Sequence, residues 1–348
     1  MFSATNGISY NRSTNIQLDL AIKIYKCARH LGIENIIIEP CSILSILGII
    51  SKITDNLTAS KIYDFLELTD CVDIDAYMKS ISNINSDVVD YYNKLVIKDS
   101  SVDKRTQKVL CERYNTMLVN EYMSPYNISA HNSTGFSIPW NREFATAPEE
   151  QIRKRHDAVE IVSMLVDSKR RTHLLRRLDD FKASVVRTSL GNNGYILTTI
   201  TPDIDDEKLF SNIEDNISTS NILRWIDNTK MKRAQHRFKI PEVTIDAKYD
   251  LISILRAAGL DLSLIRFSNL LPETRLYLNK MTQSNTMSIS STKLSIQSTT
   301  DSGFRINSFP NIDCCSCSEI ATGKPFIFLI QCRKTNNFLY FGSIRDSF

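Results

Sequence analysis

The chain has 348 residues, 42% of them hydrophobic, so it can bury a sizeable core and wholesale disorder is excluded. Its 42 Lys and Arg stand against 39 Asp and Glu, and a net charge of +3 gives no steering toward nucleic acid. Only 10 glycines occur, well below the roughly 7% average, which counts against a glycine-rich phosphate cradle.

The N-terminal stretch MFSATNGISYNRSTN lacks the basic start and apolar run of a signal peptide. Ile16, Leu20, Ile24, Cys27, Ala28 and Leu31 then fall at helical spacing, with Thr14 or Asn15 as cap and Gly32 as stop. An extended run, Ile33–Glu39, ends at Pro40, which cannot continue a strand ladder. From Ser42 a helix is expected, and Ile43, Leu44, Ile46, Leu47, Ile49 and Ile50 make it apolar nearly all round, the mark of a buried helix. A third helix reads from Thr58 to Leu66, and a polar helical stretch covers Asp73–Asn85. No run of about 18 apolar residues exists, so no membrane-spanning helix is expected.

Strands then become frequent, at Tyr92–Lys98, Ile161–Leu165, Tyr195–Thr201, Phe238–Ile245, Leu276–Met281 and Phe326–Ile330. The last pairs with Asn337–Gly342 across the turn Lys334-Thr335-Asn336, a closing hairpin. Helices are expected around Glu207–Asn212, Ser220–Ile226 and Leu251–Ala258. Helices early, strands late and hairpins rather than strict alternation define an α+β chain. Ser284–Ser318 is polar, rich in Ser and Thr and poor in strand signal; a loop that long in a compact protein is usually functional.

The sequence carries no G-x-S-x-G, H-E-x-x-H or EF-hand pattern, and Gly323-Lys324 is followed by Pro325, so no phosphate loop forms there. The histidines at 30, 131, 156, 173 and 236 lack metal-ligand spacing and read as surface residues. Cys314, Cys315 and Cys317 form the one metal-like cluster; without a second pair, no metal and no cofactor are expected. Lys169, Arg170, Arg171, Arg176 and Arg177 read as a solvated basic face diluted by Asp179 and Asp180. Eight cysteines without a signal segment read as reduced thiols, and the sequons at Asn11, Asn56, Asn127, Asn132 and Asn216 as chance matches in a chain rich in Asn and Ser. A cytoplasmic setting is expected.

In order and spacing these segments resemble the serpin family along nearly the whole chain. IIIEPCSILSILGIISK resembles the family's "SP-x-SI" start of its central buried helix, with Pro40, Ser42 and Ile43 at the matching positions. GFSIPWNREF resembles "YFKG-x-W…F", retaining Trp140 and Phe144. IPEVTIDAKYDLISILRAAGLDLSL and KPFIFLIQCRKTNNFLYFGSI resemble the late strand–helix unit and the closing strands. The resemblance implies a single domain over 1–348, three β-sheets with several helices, and a reactive loop that can insert into the central sheet. It gives Pro40, Ser42 and Trp140 structural roles at the shutter and breach of that sheet. It also implies a monomer without catalysis, nucleic acid or membrane contact, whose partner, if it is inhibitory, is a serine or cysteine protease.

Three departures stand out. Only 25 residues separate Tyr114 from Trp140, about half the family's layout, so segment 115–139 is shortened and lacks the helix that crosses the front of the central sheet. In the loop region, 284–324, a gapless alignment puts Ser291, Thr292 and Lys293 at the hinge, with Leu294, Ser295, Ile296 and Gln297 where small residues should enter the sheet. A second alignment takes Gly303 as hinge glycine and puts Phe304, Arg305 and Ile306 there. Under either, large side chains or a lone arginine oppose insertion, and insertion is expected to stall. Gln283 stands where the family's strand carries histidine. The bait segment reads SFPNIDCCSCSEIATG, and Asp313-Cys314 resembles the bond that poxvirus cytosolic serpins offer to caspases and granzyme B. Two functions are implied: an atypical viral inhibitor of host proteases with Asp313 and Cys314 as bait, or a non-inhibitory serpin used as a binding or regulatory scaffold.

Overall fold

The computed structural model describes residues 12–345 apart from 69–70, 82–86, 99–101, 141–143, 147–150, 156–157, 168–170, 192–193, 237, 268–274, 307–315 and 318–323. The first half is α1 (Arg12–His30), β1 (Ile36–Ile38), α2 (Pro40–Ile53), α3 (Asn56–Phe65), α4 (Cys71–Ile81), β2 (Val89–Ile97), α5 (Lys104–Tyr114), β3 (Thr116–Asn120) and β4 (Ile128–Pro139). A strand-rich stretch follows: β5 (Phe144–Thr146), β6 (Gln151–Arg155), β7 (Ala158–Val162), β8 (Met164–Asp167), β9 (Arg171–Leu178), β10 (Ala183–Leu190) and β11 (Tyr195–Pro202). The chain continues through α6 (Glu207–Asp215), α7 (Thr219–Trp225), β12 (Lys232–His236), β13 (Lys239–Pro241), β14 (Val243–Asp250), α8 (Leu251–Ala257) and β15 (Leu264–Arg266). It closes with β16 (Arg275–Ile289), β17 (Lys293–Arg305), β18 (Ser316–Cys317), β19 (Phe326–Cys332) and β20 (Phe338–Ile344).

Three sheets organise these strands, beside a small β6–β7 ribbon. One runs β1-β20-β19-β11-β10-β9-β12, a second β13-β8-β5, and the largest β18-β14-β16-β17-β4-β2-β3 with β15 also on β16. This is the expected α+β architecture.

Helix α2 sits at the centre. Its residues are buried from Pro40 through Ser51, so its nearly continuous apolar surface meets protein on all sides. The helix opens two residues earlier than expected. Pro40 occupies its first turn, where a missing N–H costs nothing, and the Glu39 carboxylate caps it by accepting from the N–H of Cys41 and Ser42 at 3.1 and 2.6 Å. The preceding strand is correspondingly short, Ile36–Ile38 rather than Ile33–Glu39. Helix α5 crosses α2 so closely that a β-carbon at Gly48 would stand 2.5 Å from the Tyr114 ring. A buried carboxylate, Glu214 on α6, receives Arg29 of α1 at 2.8 Å and also Tyr25 and Arg345, tying both helices to the end of β20.

The largest departure from the sequence reading is in Ser284–Ser318. Instead of belonging to a long loop, residues 284–305 form the end of β16, a tight turn and the 13-residue strand β17. His173 also differs from expectation, being buried with its ring 3.2 Å from the Thr188 hydroxyl, whereas Asn132, buried amid hydrogen bonds beneath the large sheet, fits a chance sequon.

Candidate functional site

β17 lies in the middle of the largest sheet, antiparallel to β16 on one side and to β4 on the other. Its side chains alternate: Leu294, Ile296, Ser298, Thr300, Ser302 and Phe304 are buried, while Lys293, Gln297 and Thr299 are exposed. Directly opposite residues share a face, so the register sets each buried side chain in a row with its neighbours on β4 and β16.

Five of those six rows match in chemistry. Leu294 lies between Ile138 and Ile289, and Ile296 between Phe136 and Met287. Ser298 falls between Thr134 and Asn285, and Thr300 between Asn132 and Gln283. Ser302 meets Ala130 and Met281; Phe304 meets Ile128 and Leu278 and stacks edge-on against Phe267 with ring centroids 5.0 Å apart. Burying Leu294, Ile296 and Phe304 contributes about 1.5–3 kcal/mol each.

The expectation of stalled insertion is therefore overturned. The slots that receive Leu294, Ile296 and Phe304 are lined by large apolar residues and are not alanine-sized. Arg305 does not enter the interior either; it lies on the outer face, its guanidinium 4.6 Å from the centroid of the Tyr126 ring. Small residues are present, but in mid-strand, at Ser298, Thr300 and Ser302. Lys293, Leu294, Ile296, Gly303, Phe304 and Arg305 all belong to one continuous strand, and the bend lies before them, at Ser290–Thr292.

The polar rows join a buried network under the sheet. Thr300 Oγ1 is 2.7 Å from Ser42 Oγ, and Gln283 Nε2 donates to Ser42 Oγ (3.0 Å), Thr300 Oγ1 (3.0 Å) and Glu39 O (2.9 Å). Ser298 Oγ donates to Asn285 Oδ1 at 2.6 Å, and Asn285 Nδ2 to Ile37 O at 2.7 Å. Ser45 Oγ and Asn132 Nδ2 both donate to Asn93 Oδ1 at 2.9 Å. Gln283 thus fills the histidine position as an amide that both donates and accepts, which a wholly buried junction needs. Desolvation pushes the Glu39 carboxyl up to about 7, against the pull of its hydrogen bonds to Ser42 and Cys41.

At the other end of β17, Trp140 closes over the turn. Its indole N–H donates to Ser290 O at 2.7 Å, its backbone N–H to Thr292 O at 3.0 Å, and its ring stacks edge-on with Phe144 at 4.8 Å. Ser42 and Trp140 therefore bracket the inserted strand from below and from its turn.

On the outer face, His131 Nδ1 lies 2.7 Å from Asp301 Oδ1 and His131 Nε2 lies 3.0 Å from Ser129 Oγ. The connectivity is that of a nucleophile–base–acid relay. Ser129, however, is 3% exposed, and β4 is laddered to β2 and β17 on both sides there, leaving no N–H pair for an oxyanion. The trio ties β17 to β4. Sequence reading missed it because Asp301 and His131 are 170 residues apart.

Among the described residues no three His, Cys, Asp or Glu side chains converge on a metal position. The candidate bait residues Asp313 and Cys314, and with them Cys315, lie outside the described residues. Just beyond, β18 pairs with β14, Ser316 opposite Lys248 and Cys317 opposite Ala247. Arg177 is engaged by Asp203 at 2.6 Å and Asp179 at 3.3 Å, which dilutes the basic run as expected.

A three-sheet protein whose loop segment forms the middle strand of its central sheet belongs to the loop-inserting class of folds. A family model described as "Serpin (serine protease inhibitor)" matches residues 116–347, and the chain belongs to the serpin family. Mouse (Mus musculus) Serpin B5 is 20% identical over 261 residues, covering 74% of this chain and 68% of that protein. The fold is similar to a loop-inserted structure of a cleaved ovalbumin mutant (TM-score 0.82, 15% identity, 96% of this chain and 99% of that one). It is also similar to the thermophilic serpin tengpin in the latent state (TM-score 0.78, 15% identity, 97% and 98%). In the shortened segment, β3 passes to β4 through Glu121–Asn127 with no helix between them. On the outer face of the sheet there Asp90, Lys94, His131 and Ser133 surround the exposed Tyr92.

Proposed function

We propose that this chain is a non-inhibitory serpin, a binding or regulatory scaffold whose reactive loop resides in the central sheet without being cut. One observation carries the reading: the match, row by row, of β17 to β4 and β16. A serpin traps proteases by releasing strain as the loop inserts. A loop already inserted has no such release left to give.

Chain length permits the arrangement without cleavage. The 20 residues from Ile306 to Pro325 can reach roughly 66 Å when extended, against about 43 Å for the 13 residues of β17. The return path leaves room for the β18–β14 pairing on the way.

The other reading, an atypical inhibitor of host proteases with Asp313-Cys314 as bait bond, is supported by sequence alone and requires β17 to leave the sheet. Incubation with serine proteases, caspases and papain-like proteases, followed by denaturing gels, separates the two. The expected result is cleavage or no reaction, with no complex surviving denaturation. A covalent complex with any of these proteases would return the protein to the inhibitors.

A further inference from the structure

Where β3 joins β4, the seven residues Glu121–Asn127 do more than connect. Asn127 N donates to Phe304 O at 2.9 Å, and its side-chain Oδ1 accepts from Ile306 N at 3.2 Å, so one residue grips the end of β17 from both sides of Arg305. Tyr126 lies over Gly303 so closely that a β-carbon there would stand 2.5 Å from its Cδ1 and Cε1. Gly303 is not among the glycines with positive φ, so it is the ring and not the backbone that excludes a side chain. Arg305 stacks on the same ring, two residues along the outer face. The connection itself is anchored elsewhere: Lys98 N donates to Asn127 O at 2.8 Å and Glu121 N to Ile97 O at 3.3 Å. The far end of β17 is thus held by a device fixed to the permanent part of the sheet.

We propose that Tyr126 and Asn127 form a strap that closes over the distal end of β17 and holds the uncut loop in its fully inserted position, with Gly303 as the seat that lets the ring down. The proposal rests on the inserted, uncut reading above and adds what retains it. Opening the strap frays β17 from Arg305 backward, while the Trp140 end stays stitched to the Ser290–Thr292 turn.

Trypsin cleavage after Arg305 reads this directly, because proteolysis of a folded chain tracks how often the segment opens. In the full-length protein Tyr126→Ala is expected to speed cleavage at Arg305 about tenfold, with Trp140 emission unchanged. Gly303→Ala is expected to speed it similarly in the parent and to add little in the Tyr126→Ala background, since the clash partner is gone. A Tyr126→Ala variant cut at the parental rate, or a Gly303→Ala effect equal in both backgrounds, would overturn the strap and leave the inserted reading standing. A parent protein cut after Lys293 and Arg305 as fast as an unfolded peptide would overturn both.

Discussion

Ser42 and Thr300 meet hydroxyl to hydroxyl at 2.7 Å, one at the start of α2 and the other in mid-β17, and Gln283 donates to both. A wholly buried junction of this kind is stabilising only while every member is satisfied. Ser42→Leu adds bulk to a site with no exposure and strands Thr300 and Gln283, so a loss of about 3 kcal/mol or more is expected in denaturant unfolding. Unchanged stability would remove Ser42 from the network. Glu39, at the same junction, gives a pH signature. Its carboxyl titrates near 7 in the folded chain instead of 4.5, so between those values the folded state holds more protons than the unfolded one. Stability from this group is therefore fully present below pH 4.5 and lost as pH rises through 7, by up to about 3 kcal/mol. Glu39→Gln keeps an amide oxygen for the cap and is expected to flatten that loss. Unfolding curves at pH 5 and 8 with parallel parent and variant losses would refute it.

Trp140 ties the β16–β17 turn to the strand β4 that leads into it, and at 6% exposure its indole is shielded from solvent. Since Trp225 is 1% exposed, Trp225→Phe leaves a single reporter, whose emission is expected to resist iodide several-fold better than free tryptophan. Ready quenching would place Trp140 away from the turn. The elements around it were unevenly legible. Helix α2 could be read because six large apolar residues in eight positions demand burial in any context, and the closing hairpin because β19 and β20 are apolar apart from Gln331 and Ser343. β17 could not. Its mid-strand Ser298, Thr300 and Ser302 look like loop chemistry until Asn285, Gln283 and Ser42 are beside them, and Ser42 lies 258 residues away. The same distance hid the shape of the slots for Leu294, Ile296 and Phe304, whose partners on β4 are over 150 residues upstream. Pairing across such separations has no local signature, whereas turn chemistry and helical period do.

At the scale of the molecule, the question is where the strain of a loop-inserting fold resides. In a trap, the loop waits outside the central sheet, and cutting it lets a new strand pair on both sides, so the melting temperature rises sharply. Here the residues Leu294–Phe304 already pair with both β16 and β4. Nearly all ladder hydrogen bonds that insertion can supply, at about 1 kcal/mol each, are present before any cut. So are the burial of three large apolar side chains and the polar links to Ser42, Gln283 and Asn285. Nicking within 311–318 severs a connection downstream of β17 and adds no strand. It also releases chain entropy, which opposes any gain. The melting temperature is therefore expected to shift by no more than a few degrees, against the 4–8 °C per kcal/mol typical of domains far smaller than this one. Insertion that stalls, the outcome expected from the sequence, would give the same small shift from the opposite cause. The two causes part in the intact protein. A stalled loop leaves Lys293–Arg305 open to proteases before the nick as well as after, whereas an inserted one protects it in both. Melts of intact and nicked protein, paired with trypsin mapping of β17, decide the matter: a large upward shift on nicking would mean that the strand had been outside the sheet and that the trap was still set.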